Sequence, residues 1–82
     1  MMTLNEAFAI RVKELLKEKN MPHYKLVQDT GIYPSTMNYI LHGKTRASNF
    51  KTMALIIKAR GVSMTEFFNS SVFDFDNLEI EE

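Results

Sequence analysis

The sequence predicts an all-α fold of five short helices followed by an acidic C-terminal tail. Three observations point there. Apolar residues recur at helical spacing over residues 4–19 and again over 50–60. Pro and Gly bracket two short segments between these, Pro22 with Gly31 and Pro34 with Gly43. Outside residues 70–82, no run alternates as a half-buried strand would.

In residues 4–19 (LNEAFAIRVKELLKEK), Leu4, Phe8, Val12, Leu15 and Leu16 fall on one stripe, Lys and Glu cover the rest, and Asn20 is the stop. Pro22, whose fixed φ suits a first turn, opens a helix over 22–30 that turns Leu26 and Val27 inward. Gly31 supplies the left-handed residue that ends it. Pro34 opens a third helix and Gly43 closes it. Asn49 caps a fourth helix, 50–60, with a buried stripe of Phe50, Met53, Ala54 and Ile57, and Gly61 ends it. Ser63 and Glu66 have capping-box spacing and announce a fifth helix around 64–69. The expected organisation is one domain, residues 1–69, and an irregular acidic tail, residues 70–82, with Phe73, Phe75, Leu78 and Ile80 among its charges.

A chain of 82 residues that is 45% hydrophobic can bury one modest core. With no Cys and only two His, neither a disulfide framework nor a structural metal site is expected, and no cofactor. Asp74, Asp76 and Glu79 are spaced faintly like a calcium loop, but the Gly and third oxygen ligand it requires are missing. His23 and His42 have no nucleophile or carboxylate at helical spacing, so catalysis is not expected. The N-terminus interleaves charges with apolar residues, and the longest apolar run, 53–57, is far too short to span a bilayer. The expectation is a cytoplasmic protein that meets no membrane and carries no separate ligand-binding domain.

The net charge of zero conceals segregation. Residues 1–60 hold all ten Lys and Arg against four acids, a balance of +6. Residues 61–82 hold six acids and no base, a balance of −6. Such asymmetry points to a basic body that meets a polyanion, with a merely solvated basic face as the plain alternative.

The stretch "GIYPSTMNYILHGK" sharpens this reading. Met37, Ile40 and Leu41 fall on one side of its helix, and Ser35, Asn38, Tyr39 and His42 on the other. With the preceding helix and the turn around Gly31, it has the size of a helix-turn-helix, whose second helix lies in the DNA major groove. Short uncharged donors and acceptors suit base edges, while flanking charges suit phosphates.

Three stretches, "RVKELLKEKNM", "LVQDTGIYPSTMNYILHGK" and "NFKTMALIIKARGVSMTEFF", resemble the Xre/Cro-like family of phage-repressor helix-turn-helix proteins across roughly residues 8–68. The resemblance implies double-stranded DNA binding and transcription regulation, repression before activation. It implies groove-facing roles for Pro34, Ser35, Asn38 and Tyr39, and phosphate contacts for His42, Lys44 and Arg46. His23 stands where relatives usually carry the Gln that fixes the first helix to the DNA backbone. Tyr33 replaces a Ser or Thr cap and would lie along that backbone instead. Relatives often bury an Arg–Glu pair where this chain has Leu16 and Leu41, an apolar exchange that strands no charge.

Family members generally pair on two half-sites, so a homodimer is expected. Leu55, Ile56, Phe67, Phe68, Phe73 and Phe75 are its candidate interface, with the tail's acids held away from the recognition face. The rival arrangement lays the tail over that face. A rival function is a protein-interaction module on the same scaffold, binding a partner such as a toxin or a larger regulator. No small-molecule ligand is evident.

Overall fold

The structure is a computed structural model that describes residues 1–44 and 49–80. A two-residue strand β1 (Met2–Thr3) leads into α1 (Leu4–Glu18). A capping box that the sequence reading missed starts this helix. The Thr3 hydroxyl accepts from the Glu6 amide at 3.1 Å, and the Glu6 carboxylate accepts from the Thr3 amide at 2.8 Å. That bond to the Thr3 amide, with the hydroxyl contact second, holds the Glu6 carboxyl below its ordinary pKa. At the other end Asn20 takes φ 56°, while Asn20 and Met21 donate to the carbonyls of Lys17 and Leu16. This is a Schellman stop in which Asn replaces the usual Gly.

Helix α2 (His23–Thr30) ends at Gly31, φ 73°, and α3 (Pro34–Leu41) at His42 and Gly43. Thr30 fixes the turn between them, its hydroxyl donating to the Leu26 carbonyl at 2.6 Å and accepting from the Ile32 amide at 3.2 Å. Helix α4 (Phe50–Arg60) starts where the Asn49 side chain accepts from the Thr52 amide at 2.8 Å. Helix α5 (Met64–Phe68) starts where Ser63 accepts from the Glu66 amide at 3.0 Å. These five are the expected helices, each within about a turn of its expected bounds.

Phe8, Val12, Leu16, Leu26, Met37, Ile57 and Phe67 belong to one apolar cluster shared by all five helices. Leu4 and Phe50, expected on buried stripes, are 51% and 67% exposed. Each belongs to the first turn of its helix. On α4 the buried face runs through Ile56, Ile57 and Arg60, with Met53 and Ala54 only half-buried. Ile56 and Phe67 are fully buried in the chain's own core, so they present no surface to a second copy and leave the expected interface.

Arg60 was not singled out in the sequence, yet it is buried. Its Nη2 donates to the Leu15 carbonyl at 2.6 Å and its Nη1 meets the Met21 sulfur at 3.5 Å, while Nε has no partner among the described residues. Burial lowers its pKa, with Glu18 opposing.

The tail is ordered as far as it is described. Two 3-10 turns, Ser71–Phe73 and Phe75–Asn77, precede strand β2 (Leu78–Glu79). β2 pairs in parallel with β1, Met2 opposite Leu78 and Thr3 opposite Glu79. Phe73 packs on Phe67 and Phe68 at ring-centroid distances of 5.9 and 4.9 Å, and Leu78 is buried. The tail thus folds back across α1. No described helix is long and apolar enough to cross a membrane.

Candidate nucleic-acid interface

The apolar side of α3 is set by its neighbours. Met37, Ile40 and Leu41 are 2–3% exposed, packed against α1 and α2. Helical geometry then forces Ser35, Asn38 and Tyr39 to the opposite, exposed side. Pro34 occupies the first helical position, and Tyr33, 79% exposed, makes no side-chain cap there. The two faces separate as the sequence implied.

The structure brings His23, Pro34 and Asn38 to one cleft of about 330 Å³ between α2 and α3. Tyr24 and Gln28 line the same cleft and were missed by sequence reasoning. The signal was present: all three tyrosines of the chain lie in residues 24–39, and all three are exposed.

His42 does not extend freely. Its Nδ1 lies 2.7 Å from the Asn38 carbonyl, folding the ring onto the last turn of α3. A carbonyl only accepts, so Nδ1 carries a proton, and in the neutral ring Nε2 has only a lone pair. Such a ring can donate outward only when doubly protonated.

Lys44 is exposed after the second Schellman stop, where Lys44 and Gly43 donate to the carbonyls of Tyr39 and Ile40. Gly43 is tightly held. A Cβ there would lie 2.9 Å from the Glu6 Cα, and φ is 68°. Arg46, the other cation expected at this edge, lies outside the described residues.

Not all of the basic charge is available to a polyanion. Arg11 donates to the Phe67 and Glu66 carbonyls at 2.7 and 2.9 Å, closing the end of α5, and sits 3.6 Å from Glu14. Arg60 is buried, and Lys25 lies 3.4 Å from Asp29. Leu16 and Leu41 are each 2% exposed in the same apolar cluster, so that position pair is a plain hydrophobic contact region here.

A short turn around Gly31 therefore joins two helices, the second burying one face and exposing uncharged polar groups on the other. The model of the Cro/C1-type HTH DNA-binding domain matches residues 11–70, 60 of the 82 residues. The chain belongs to this family. In this Cro/C1-type domain, α2 and α3 are the helix-turn-helix, and DNA binding is the activity the family supports. No curated protein and no solved structure matched the chain.

Proposed function

We propose that this Cro/C1-type domain binds duplex DNA sequence-specifically through α3 and represses transcription as a cytoplasmic homodimer. The separation of the faces of α3 carries the reading: a side 2–3% exposed at Met37, Ile40 and Leu41, and an exposed side of Ser35, Asn38 and Tyr39. Those side chains can donate to or accept from base edges in the major groove, and Pro34 starts α3 beside them. His23 and Tyr33 flank this face, suited to the DNA backbone, with His42, Lys44 and Arg46 beyond the helix end. Repression needs only occupancy of a promoter, whereas activation needs a further contact surface. The role is binding, without catalysis.

One recognition helix reads only a few base pairs, which favours two copies on successive half-sites about 34 Å apart. Exposed apolar groups support such pairing. Leu55 and Phe68 are each 39% exposed, Phe75 is 79% exposed, and Phe73 is half-buried beside Phe68.

Selection of duplexes from a random pool, followed by a reporter driven by the selected site, tests the proposal. Enrichment of one motif and a lower reporter signal are expected. A pool that stays random, with binding instead to a protein partner such as a toxin, would support the interaction-module reading. That second reading draws on the zero net charge and the wet Phe50 and Phe75.

A further inference from the structure

The C-terminal strand and the residue that follows the recognition helix share one cleft of about 450 Å³, lined among others by Thr3, Asn5, Gly43, Lys44, Glu79 and Ile80. Two separate anchors create this juxtaposition. On one side Gly43 rests against Glu6 in the first turn of α1, so closely that no side chain fits between them. On the other, β2 pairs with β1 and sets Glu79 opposite Thr3, the residue that caps the same helix. Leu78, 6% exposed, pins the strand down. Glu79, one of the tail's acids expected away from the recognition face, thus lines the same cleft as Lys44.

Glu79 and Lys44 are both exposed and form no ion pair with each other. Their attraction adds little to stability, since solvent screens it. Its consequence lies in the field that an approaching phosphate meets. A lysine gains affinity for DNA by releasing counterions from the phosphate it neutralises. A carboxylate lining the same cleft offsets part of that charge, and the capped Glu6 carboxylate, whose residue abuts Gly43, adds to the offset.

We propose that the docked C-terminal strand is a built-in electrostatic restraint on DNA binding, acting through Glu79 against the phosphate contact at Lys44. The inference rests on the DNA-binding reading above. It acts on the backbone contact and so lowers affinity for every duplex alike, leaving base preference untouched.

Truncating the strand would remove Leu78 from the core, so charge variants are the cleaner test. Wild type, Glu79→Gln, Glu79→Lys, Lys44→Ala and the Glu79→Gln/Lys44→Ala double variant are titrated at low salt with a labelled duplex of random sequence, their folding checked by circular dichroism melts. Glu79→Gln is expected to bind about two- to fourfold tighter and Glu79→Lys tighter still, both gains shrinking as salt rises. The Glu79→Gln gain should shrink when Lys44 no longer holds a phosphate beside it. Unchanged or weaker binding by both Glu79 variants overturns the restraint, as does a gain undiminished without Lys44. If wild type and every variant bind no duplex, the DNA-binding reading falls as well; if wild type binds and the Glu79 variants match it, the restraint alone falls.

Discussion

Gly31 and Gly43 both take left-handed φ values, 73° and 68°, yet they are not equivalent residues. A Cβ at Gly31 would meet nothing within 4 Å, so Gly31→Ala carries only backbone strain, about 1–2 kcal/mol. At Gly43 the same Cβ would collide with the backbone of Glu6, so Gly43→Ala should cost at least about 1 kcal/mol more. Urea titrations of the two variants check this ordering; equal losses would contradict the close approach. At Arg60, Ala would leave a cavity and remove one of the two donors to the Leu15 carbonyl, which the Lys19 amide still holds, a loss of about 3 kcal/mol. Arg60→Met keeps much of the volume and removes a buried charge, so its cost should stay near about 1 kcal/mol. The burial of Arg60 was not legible in the sequence. An Arg in the last turn of a helix reads as a solvated cation, and only the fold lays it over the end of α1. The capping box at Thr3 has a sequence signal, Thr followed three residues later by Glu, that the apolar stripe overshadowed. Its carboxylate makes it acid-sensitive. Because folding lowers the pKa of Glu6, the box adds stability above the ordinary value of 4.5, and that stability is lost as pH falls through the lower folded value. Melts of wild type and Glu6→Gln should therefore converge toward acid, and a gap that stays constant would contradict the assignment.

At the scale of elements, punctuation residues made the helices legible. Gly31, Gly43, Asn49, Gly61 and Ser63 all sit at helix ends, where their conformations or side chains serve chain termini. Periodicity was less informative at helix starts: Leu4 and Phe50 have the right spacing but stay exposed, and spacing alone does not reveal which positions a neighbouring element covers. The opposed faces of α3 were fully legible, because three buried apolar positions dictate the direction of the rest. The ring of His42 was not, since spacing does not show that it turns back onto the Asn38 carbonyl. With Nδ1 committed to that carbonyl, only Nε2 is left to face the DNA backbone. His42→Ala should then weaken binding to every duplex alike, and an unchanged affinity would remove His42 from the contact surface.

At the scale of the whole molecule, the fold of the tail was the least legible feature. Its acids read as solvated, but Phe73 and Leu78 are apolar enough to bring it back over α1, and β1 offers a strand edge to receive it. With the tail docked, Ile56 and Phe67 lie inside while Leu55, Phe68 and Phe75 stay exposed. If these three pair two copies, Leu55→Ser with Phe75→Ser should convert a dimer to a monomer in sedimentation and weaken binding to a double half-site far more than to a single one. A wild-type monomer bound to both half-sites would contradict pairing through this surface. The account as a whole stands on α3 reading bases while Lys44 holds the backbone. The most direct measurement is the affinity of wild type, Asn38→Ala, Tyr39→Ala and Lys44→Ala for a selected duplex and its single-base variants across a salt series. Asn38→Ala and Tyr39→Ala should each flatten discrimination at particular positions by about 1–3 kcal/mol, while Lys44→Ala weakens all sequences alike and lowers the salt slope by about one. If the Asn38 and Tyr39 variants keep the wild-type base preferences, α3 is not the reading element and the account is wrong.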